Sequence, residues 1–164
     1  MYKLYTYYKK KGGNMKKFLL TILVAVPAYS YASFGIGYTS LDLDMGDGDS
    51  LSIGALSGSY TFSADDSPFS LQTGVLIGIT DDTLYGVKAE LDPSFYLKGI
   101  YDINENIFIN VNWAKYEATA SAGSESISGS DSEAGFGFGF NVGKAKIMFD
   151  FIEDTDMFSI QYNF

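Results

Sequence analysis

The side chains of this 164-residue chain that could carry chemistry are carboxylates, a few lysines and hydroxyls, because it has no His and no Cys. That removes the commonest general base and metal ligand, any Ser-His-Asp triad, disulfides and thiolate metal sites. The acidic run Asp42-Leu43-Asp44-Met45-Gly46-Asp47-Gly48-Asp49 invites a calcium reading. An EF-hand needs oxygen ligands at set positions and a Glu at the twelfth. Counted from Asp42, the fifth position is Gly46 and the twelfth is Ile53, so the motif fails. A solvated loop or loose divalent binding is left. Asp81 and Asp82 adjoin with no further pattern around them, which reads as solvation. No catalytic, cofactor or metal site is expected, and the chain reads as no enzyme. Lys98, Asp102, Lys146 and Asp150 remain. They fall on the polar faces of alternating segments. They read either as the lining of a polar passage or as an interior ion-pair network, since buried charges need partners.

The elements that must hold these residues are strands. The last eight residues show it most plainly. Phe158, Ile160, Tyr162 and Phe164 alternate with Met157, Ser159, Gln161 and Asn163. Successive side chains of a strand point to opposite faces, so one face is greasy and the other mostly polar. The same alternation recurs upstream. Strands are expected at about 33–43, 51–62, 69–80, 95–103, 107–118, 133–142 and 145–152, with the last ending at Phe164. In the second, Leu51, Ile53 and Ala55 share one parity and Leu56, Tyr60 and Phe62 the other, which suggests a β-bulge at 55–56. Pro93 fits a bulge or a strand end. Thr119 to Asp131 reads as a long Ser/Gly loop. Residues 84–91 read as loop or as extensions of flanking strands; counted separately they would make nine.

Charge and the amino terminus set the compartment. Lys3, Lys9, Lys10, Lys11, Lys16 and Lys17 precede residue 33, whereas all 20 Asp and Glu follow it. The five remaining Lys leave the part from Ser33 onward at a formal charge of −15, and there is no Arg. That balance argues against nucleic acid as a partner. Met15-Lys16-Lys17, the apolar run Phe18 to Val26 and Pro27 form a secretory signal peptide over residues 15–32. Cleavage is expected between Ala32 and Ser33, with Ala28 as the alternative. Nine apolar residues are too few for a helical span, which needs about 20. Residues 1–14 fit nothing and read as translated leader ahead of a start at Met15, or as a longer basic segment of the signal.

Alternation alone is compatible with a soluble sandwich or a membrane barrel. Phe34-Gly35-Ile36-Gly37-Tyr38, Tyr96-Leu97-Lys98-Gly99, Gly135 to Gly139 and the closing Phe164 make residues 33–164 resemble the small OmpA/OmpX-like bacterial outer-membrane barrels. The resemblance implies an all-β, eight-stranded antiparallel up-and-down transmembrane barrel, with an even strand number and both ends periplasmic. It implies that Phe158, Ile160, Tyr162 and Phe164 form the signal read by the barrel-assembly machinery. It also implies outer-membrane lipids and lipopolysaccharide as surroundings, a monomer, and the outer membrane as location. Lipid-acting barrels of this kind use a catalytic His, which is missing. The expected role is structural or surface-interacting, with acidic and Ser/Gly-rich loops outside the cell; a narrow channel for ions or small solutes is the alternative. Phe138 should face lipid, with the glycines beside it leaving lumen space for Lys146 and Met148. Ser159 should face the lumen, where an Arg would be tolerated only if there were room.

Overall fold

The computed structural model describes residues 30–46 and 48–164. The leader and residues 15–29 of the signal peptide lie outside the described residues. Nine strands run in order: β1 (Ser30–Gly46), β2 (Asp49–Ala64), β3 (Phe69–Gly78), β4 (Asp81–Leu84), β5 (Val87–Asp102), β6 (Ile107–Ala122), β7 (Glu125–Val142), β8 (Ala145–Ile152) and β9 (Thr155–Asn163). Neighbours follow the order β3-β2-β1-β9-β8-β7-β6-β5-β4, and β3 also pairs with β5. That second pairing closes the ring. Eight strands form the barrel, and β4 is a short arm.

The arm resolves residues 84–91. β3 breaks at Ile79 and Thr80, whose N–H groups both donate to the Gly54 carbonyl, and β4 continues its line. Asp81–Leu84 then pairs with Val87–Glu90 across a two-residue turn. Both turn residues, Tyr85 and Gly86, have positive φ (52° and 80°), as the tightest hairpin turns require. Residues 84–91 therefore extend the flanking strands, and the strand count stays even.

Each strand has one face inward and one outward. Phe34, Ile36, Tyr60, Val75, Ile77, Phe95, Ile109, Val111, Phe136, Phe138, Ile160 and Tyr162 are exposed. Lys98, Asp150, Gln72, Gln161, Asn110, Asn112 and Ser159 are buried. A soluble sandwich buries its greasy faces; here they ring the outside. Backbone groups facing hydrocarbon must be paired, and ring closure pairs them.

The structure corrects two expectations. β2 carries no bulge. Its register with β3 runs unbroken from Ala55↔Gly78 to Ser63↔Ser70, and Leu51, Ile53, Ala55, Ser57, Ser59 and Thr61 all point inward. What changes at 55–56 is the character of the interior. The bulge lies in β5 instead, where Asp92 pairs Glu117 but Phe95 pairs Lys115. Pro93, lacking an N–H, sits there without leaving a donor unpaired. Ser94 patches the ladder, donating to the Asp92 carbonyl at 2.9 Å and accepting from the Glu117 N–H at 2.9 Å.

Thr119 to Asp131 is likewise no loop. β6 and β7 stay in register out to Ala122↔Glu125. A membrane-crossing strand needs about 9–11 residues. At 16 and 18 residues, β6 and β7 overshoot and stand out as a hairpin. The turns at the other end are short. Asn104 Oδ1 accepts the N–H groups of Asn106 (2.9 Å) and Ile107 (3.0 Å), which fixes the β5–β6 turn. Phe164 donates its N–H to the Phe34 carbonyl at 2.8 Å, the last rung between the two end strands.

Candidate functional site

The interior of the barrel and its rims hold the described polar groups singled out in the sequence. The interior is layered. Toward the rim lies an apolar plug of Leu41, Ile53, Ala55, Leu76, Leu91, Tyr96, Ala114, Tyr116, Ile152 and Met157, all buried. Below it is a polar belt. Toward the short turns, Ile100, Phe108 and Met148 close the other side. Leu76, the apolar residue on an otherwise polar face of β3, belongs to the plug.

The belt has two parts. In the first, Lys98 Nζ from β5 donates to Asp150 Oδ2 from β8 at 2.5 Å, with both side chains almost wholly buried. Asp150 Oδ1 accepts Asn110 Nδ2 at 2.9 Å and Asn112 Nδ2 at 3.1 Å, both from β6. Lys98 also lies 5.0 Å from the Tyr96 ring centre. Inside a protein a charge pair is tolerated when its remaining lone pairs and protons are bonded; three donors meet that condition for the carboxylate, and Met148 Sδ, 3.8 Å from Lys98 Nζ, is the ammonium's other partner. A side chain at Gly137 would strike Asp150 and Asn110, and one at Gly139 would strike the Phe108 ring. The β7 glycines thus make room, and the side chains nearest to Gly137 and Gly139 are Asp150, Asn110 and Phe108.

The second part joins β1, β2, β3 and β9. Gln72 Nε2 donates to Thr61 Oγ1 at 3.1 Å and to Gln161 Oε1 at 3.2 Å, Gln161 Nε2 donates to Ser59 Oγ, and the Thr39 and Ser159 hydroxyls share a bond of 2.9 Å. Ser159 is 3% exposed and hydrogen-bonded, so an Arg there has no space.

Of the four charged residues expected inside, the structure brings together Lys98 and Asp150. Asp102 and Lys146 form no ion pair within 4.0 Å among the described residues; Lys146 Nζ stands 5.3 Å from the Phe108 ring centre, nearer the short turns. Asn110, Asn112, Gln72 and Gln161 were not expected in the network, although their parity already pointed them inward.

The rim is acidic. Its described lysines, Lys88 and Lys115, are both engaged: Lys88 with Glu90 and with Asp81 (3.5 Å), Lys115 with Glu117. Asp82 accepts the N–H groups of Ser52 (2.9 Å) and Thr83 (2.7 Å), and these bonds hold its carboxyl below the usual range. Ser52 Oγ donates to Asp42, and Tyr85 donates its hydroxyl to Asp49 at 2.5 Å. Within the 42–49 run, Asp42 and Asp49 thus have different hydroxyl partners; Asp47 lies outside the described residues. Among the described residues no three potential metal ligands converge. Glu133 faces inward where the plug meets the rim. Burial, then the nearby charges of Asp131 and Asp154, raise its carboxyl pKa.

No family model matches the chain, and no curated protein does. Solved structures do. Ail, the attachment invasion locus protein of Yersinia pestis, aligns at 14% identity and a TM-score of 0.53, covering 83% of this chain and 99% of Ail. Ail in complex with the heparin analogue sucrose octasulfate aligns at 16% identity, with a TM-score of 0.51 and the same coverage. Neisserial surface protein A, NspA, aligns at 10% identity and 0.52, covering 80% of this chain and 95% of NspA. Similarity at this level concerns the fold: the chain has the architecture of the small outer-membrane β-barrels.

Proposed function

We propose that this chain is a barrel of the bacterial outer membrane with a structural or surface-interaction role, holding an acidic rim and the β6–β7 hairpin outside the cell. The observation that carries this is the inside-out distribution of side chains: aliphatic and aromatic residues ring the exterior, and hydrogen-bonded polar residues fill the interior. Outer-membrane lipids and lipopolysaccharide are then its surroundings. The exposed face of β9, Phe158 to Phe164, is the segment offered to the barrel-assembly machinery, and the barrel works as a monomer.

The layered interior favours display over conduction. An eight-stranded barrel is just wide enough for its side chains to fill. A polar belt between two apolar layers offers ions no continuous wet path. The reading is therefore of a sealed barrel, and no conductance above background is expected in planar bilayers. Steady single-channel steps from the purified protein would favour the channel. Lacking His and Cys, and with no convergent set of acid, base and nucleophile singled out in its sequence, the chain is read as no enzyme.

Secretion is part of the proposal. Signal cleavage between Ala32 and Ser33 would trim Ser30 to Ala32 from the start of β1 and leave its pairing with β9 intact, because the first bond from β1 to β9 is at Phe34 and the paired register starts at Gly35↔Asn163. The test of location and fold is direct. Membrane-fraction protein should begin at Ser33 and migrate differently on gels before and after boiling. A monodisperse, β-rich protein in plain buffer would overturn the reading.

A further inference from the structure

The outward faces of the barrel strands carry Phe, Tyr, Ile, Leu and Val with few gaps. One gap is a groove of about 600 Å³ in the wall formed by β1, β2, β3 and β5, lined by Phe34, Gly58, Tyr60, Thr73, Val75 and Phe95. We propose that this groove seats one acyl chain of a glycerophospholipid. The inference rests on the membrane reading above and adds to it a fixed lipid position.

Gly58 makes the groove. It lies on the outward parity of β2, between Leu56 and Tyr60. Glycine weakens a strand, and inside one it marks a bulge, a sharp bend, or a place where a ligand or another backbone comes close. No bulge is present, because Gly58↔Val75 sits inside unbroken register. No positive φ is present either. Crowding does not demand glycine: an added Cβ would meet only Val75 Cγ2, at an ordinary 3.7 Å. Gly74, on the inward parity of β3, differs, because the Tyr96 ring occupies the space its side chain would need. Close approach from outside is the remaining use.

The lining says what approaches. Thr73 is the polar residue on the outward face of β3. Its Oγ1 donates to the Tyr96 carbonyl at 3.4 Å, which satisfies the hydroxyl on backbone. The groove is therefore apolar along its length, and only matter dissolved in hydrocarbon reaches it. It runs from Phe34, stacked near Phe164 at 6.2 Å, to Phe95, set edge-on to Trp113 at 5.6 Å. The groove thus lies across four neighbouring strands of the lipid-facing wall. Rings on both flanks limit its width. Its Phe34 end lies at the short-turn side, where the lipids of the inner leaflet are phospholipids on the orientation argued above.

The test uses the full protein purified from membranes and reconstituted in phosphatidylethanolamine–phosphatidylglycerol vesicles. These contain a trace of phosphatidylcholine with a photoactivatable diazirine in one acyl chain. Adducts mapped by mass spectrometry should concentrate severalfold on the peptides around Gly58 and Val75. Gly58→Phe, which fills the groove, should remove that excess. Gly99→Phe should keep it, because Gly99 is on the outward parity of β5 but does not line the groove. If Gly58→Phe does not assemble, the wild-type adduct map decides alone. Even labelling around a heat-modifiable, folded barrel would overturn the inference and leave the membrane reading standing. So would a cross-linked dimer joined at the groove, or displacement of the probe by lipopolysaccharide but not by unlabelled phospholipid. A protein that shows no heat-modifiable form would instead refute the membrane reading itself.

Discussion

Replacing Asp150 by Asn tests the account of the interior most severely. The substitution is nearly isosteric, so packing is preserved and only the charge is removed. In the native barrel the carboxylate holds Lys98 at 2.5 Å and accepts both Asn110 and Asn112. After substitution the Lys98 ammonium, with a side chain 2% exposed, has no anion. Removing one partner of a buried pair typically costs about 3–5 kcal/mol, because the other charge is left uncompensated. Neutral replacement of both partners behaves differently, since a well-packed apolar pair is often as stable as the ions it replaces. The double variant Lys98→Met/Asp150→Asn should therefore recover most of the loss. Asn112 and Asn110 keep an acceptor at the new amide oxygen, so little is lost there. The assay is urea unfolding of the barrel in phospholipid vesicles, followed by the emission of Trp113, the single Trp of the chain. A single variant within about 1 kcal/mol of wild type would mean that Lys98 reaches water or another partner. A double variant no more stable than the single one would mean that the loss was packing and not charge.

Three further outcomes are expected. Phe138, outward on β7 and stacked on Phe149 at 5.3 Å, should not tolerate Arg: a positive charge at the lipid-facing midplane costs about 2–4 kcal/mol, and folding into vesicles should fail or slow sharply. Glu133→Gln should stabilise the barrel at neutral pH and make no difference in acid. The folded carboxyl pKa is raised above its ordinary 4.5, so stability falls as pH rises from the ordinary value through the raised one, and a wild-type melting profile without that fall would refute the assignment. Sucrose octasulfate, which the Ail structure holds, should not bind here at physiological salt, because both rim lysines are spent on neighbouring carboxylates; saturable binding by calorimetry would show the acidic rim to be misread.

Outside the first half of β2, the sequence alone determined which residues of the barrel wall face which way. Period-two alternation is local, so Phe136, Phe138 and Phe140 were legible as one face of a strand, and Lys98 and Asp150 as members of the opposite one. The expectation of a barrel over a sandwich came from the same pattern, joined to the resemblance at Phe164. Tertiary structure alone decided what the inward faces build together. Whether Leu51, Ile53 and Ala55 meant a change of face or an apolar floor under the rim depended on Leu41, Leu76 and Ile152, which come from other strands of the ring. Lys98 found Asp150, 52 residues away, and not Asp102 on its own strand, because closure sets the register between strands and the local pattern carries no information about it. Thr119 to Asp131 looked like a loop for a related reason. Above the membrane both faces of the β6–β7 hairpin meet water, so nothing selects alternation, and only the ladder of backbone bonds between the two strands marks it as a sheet.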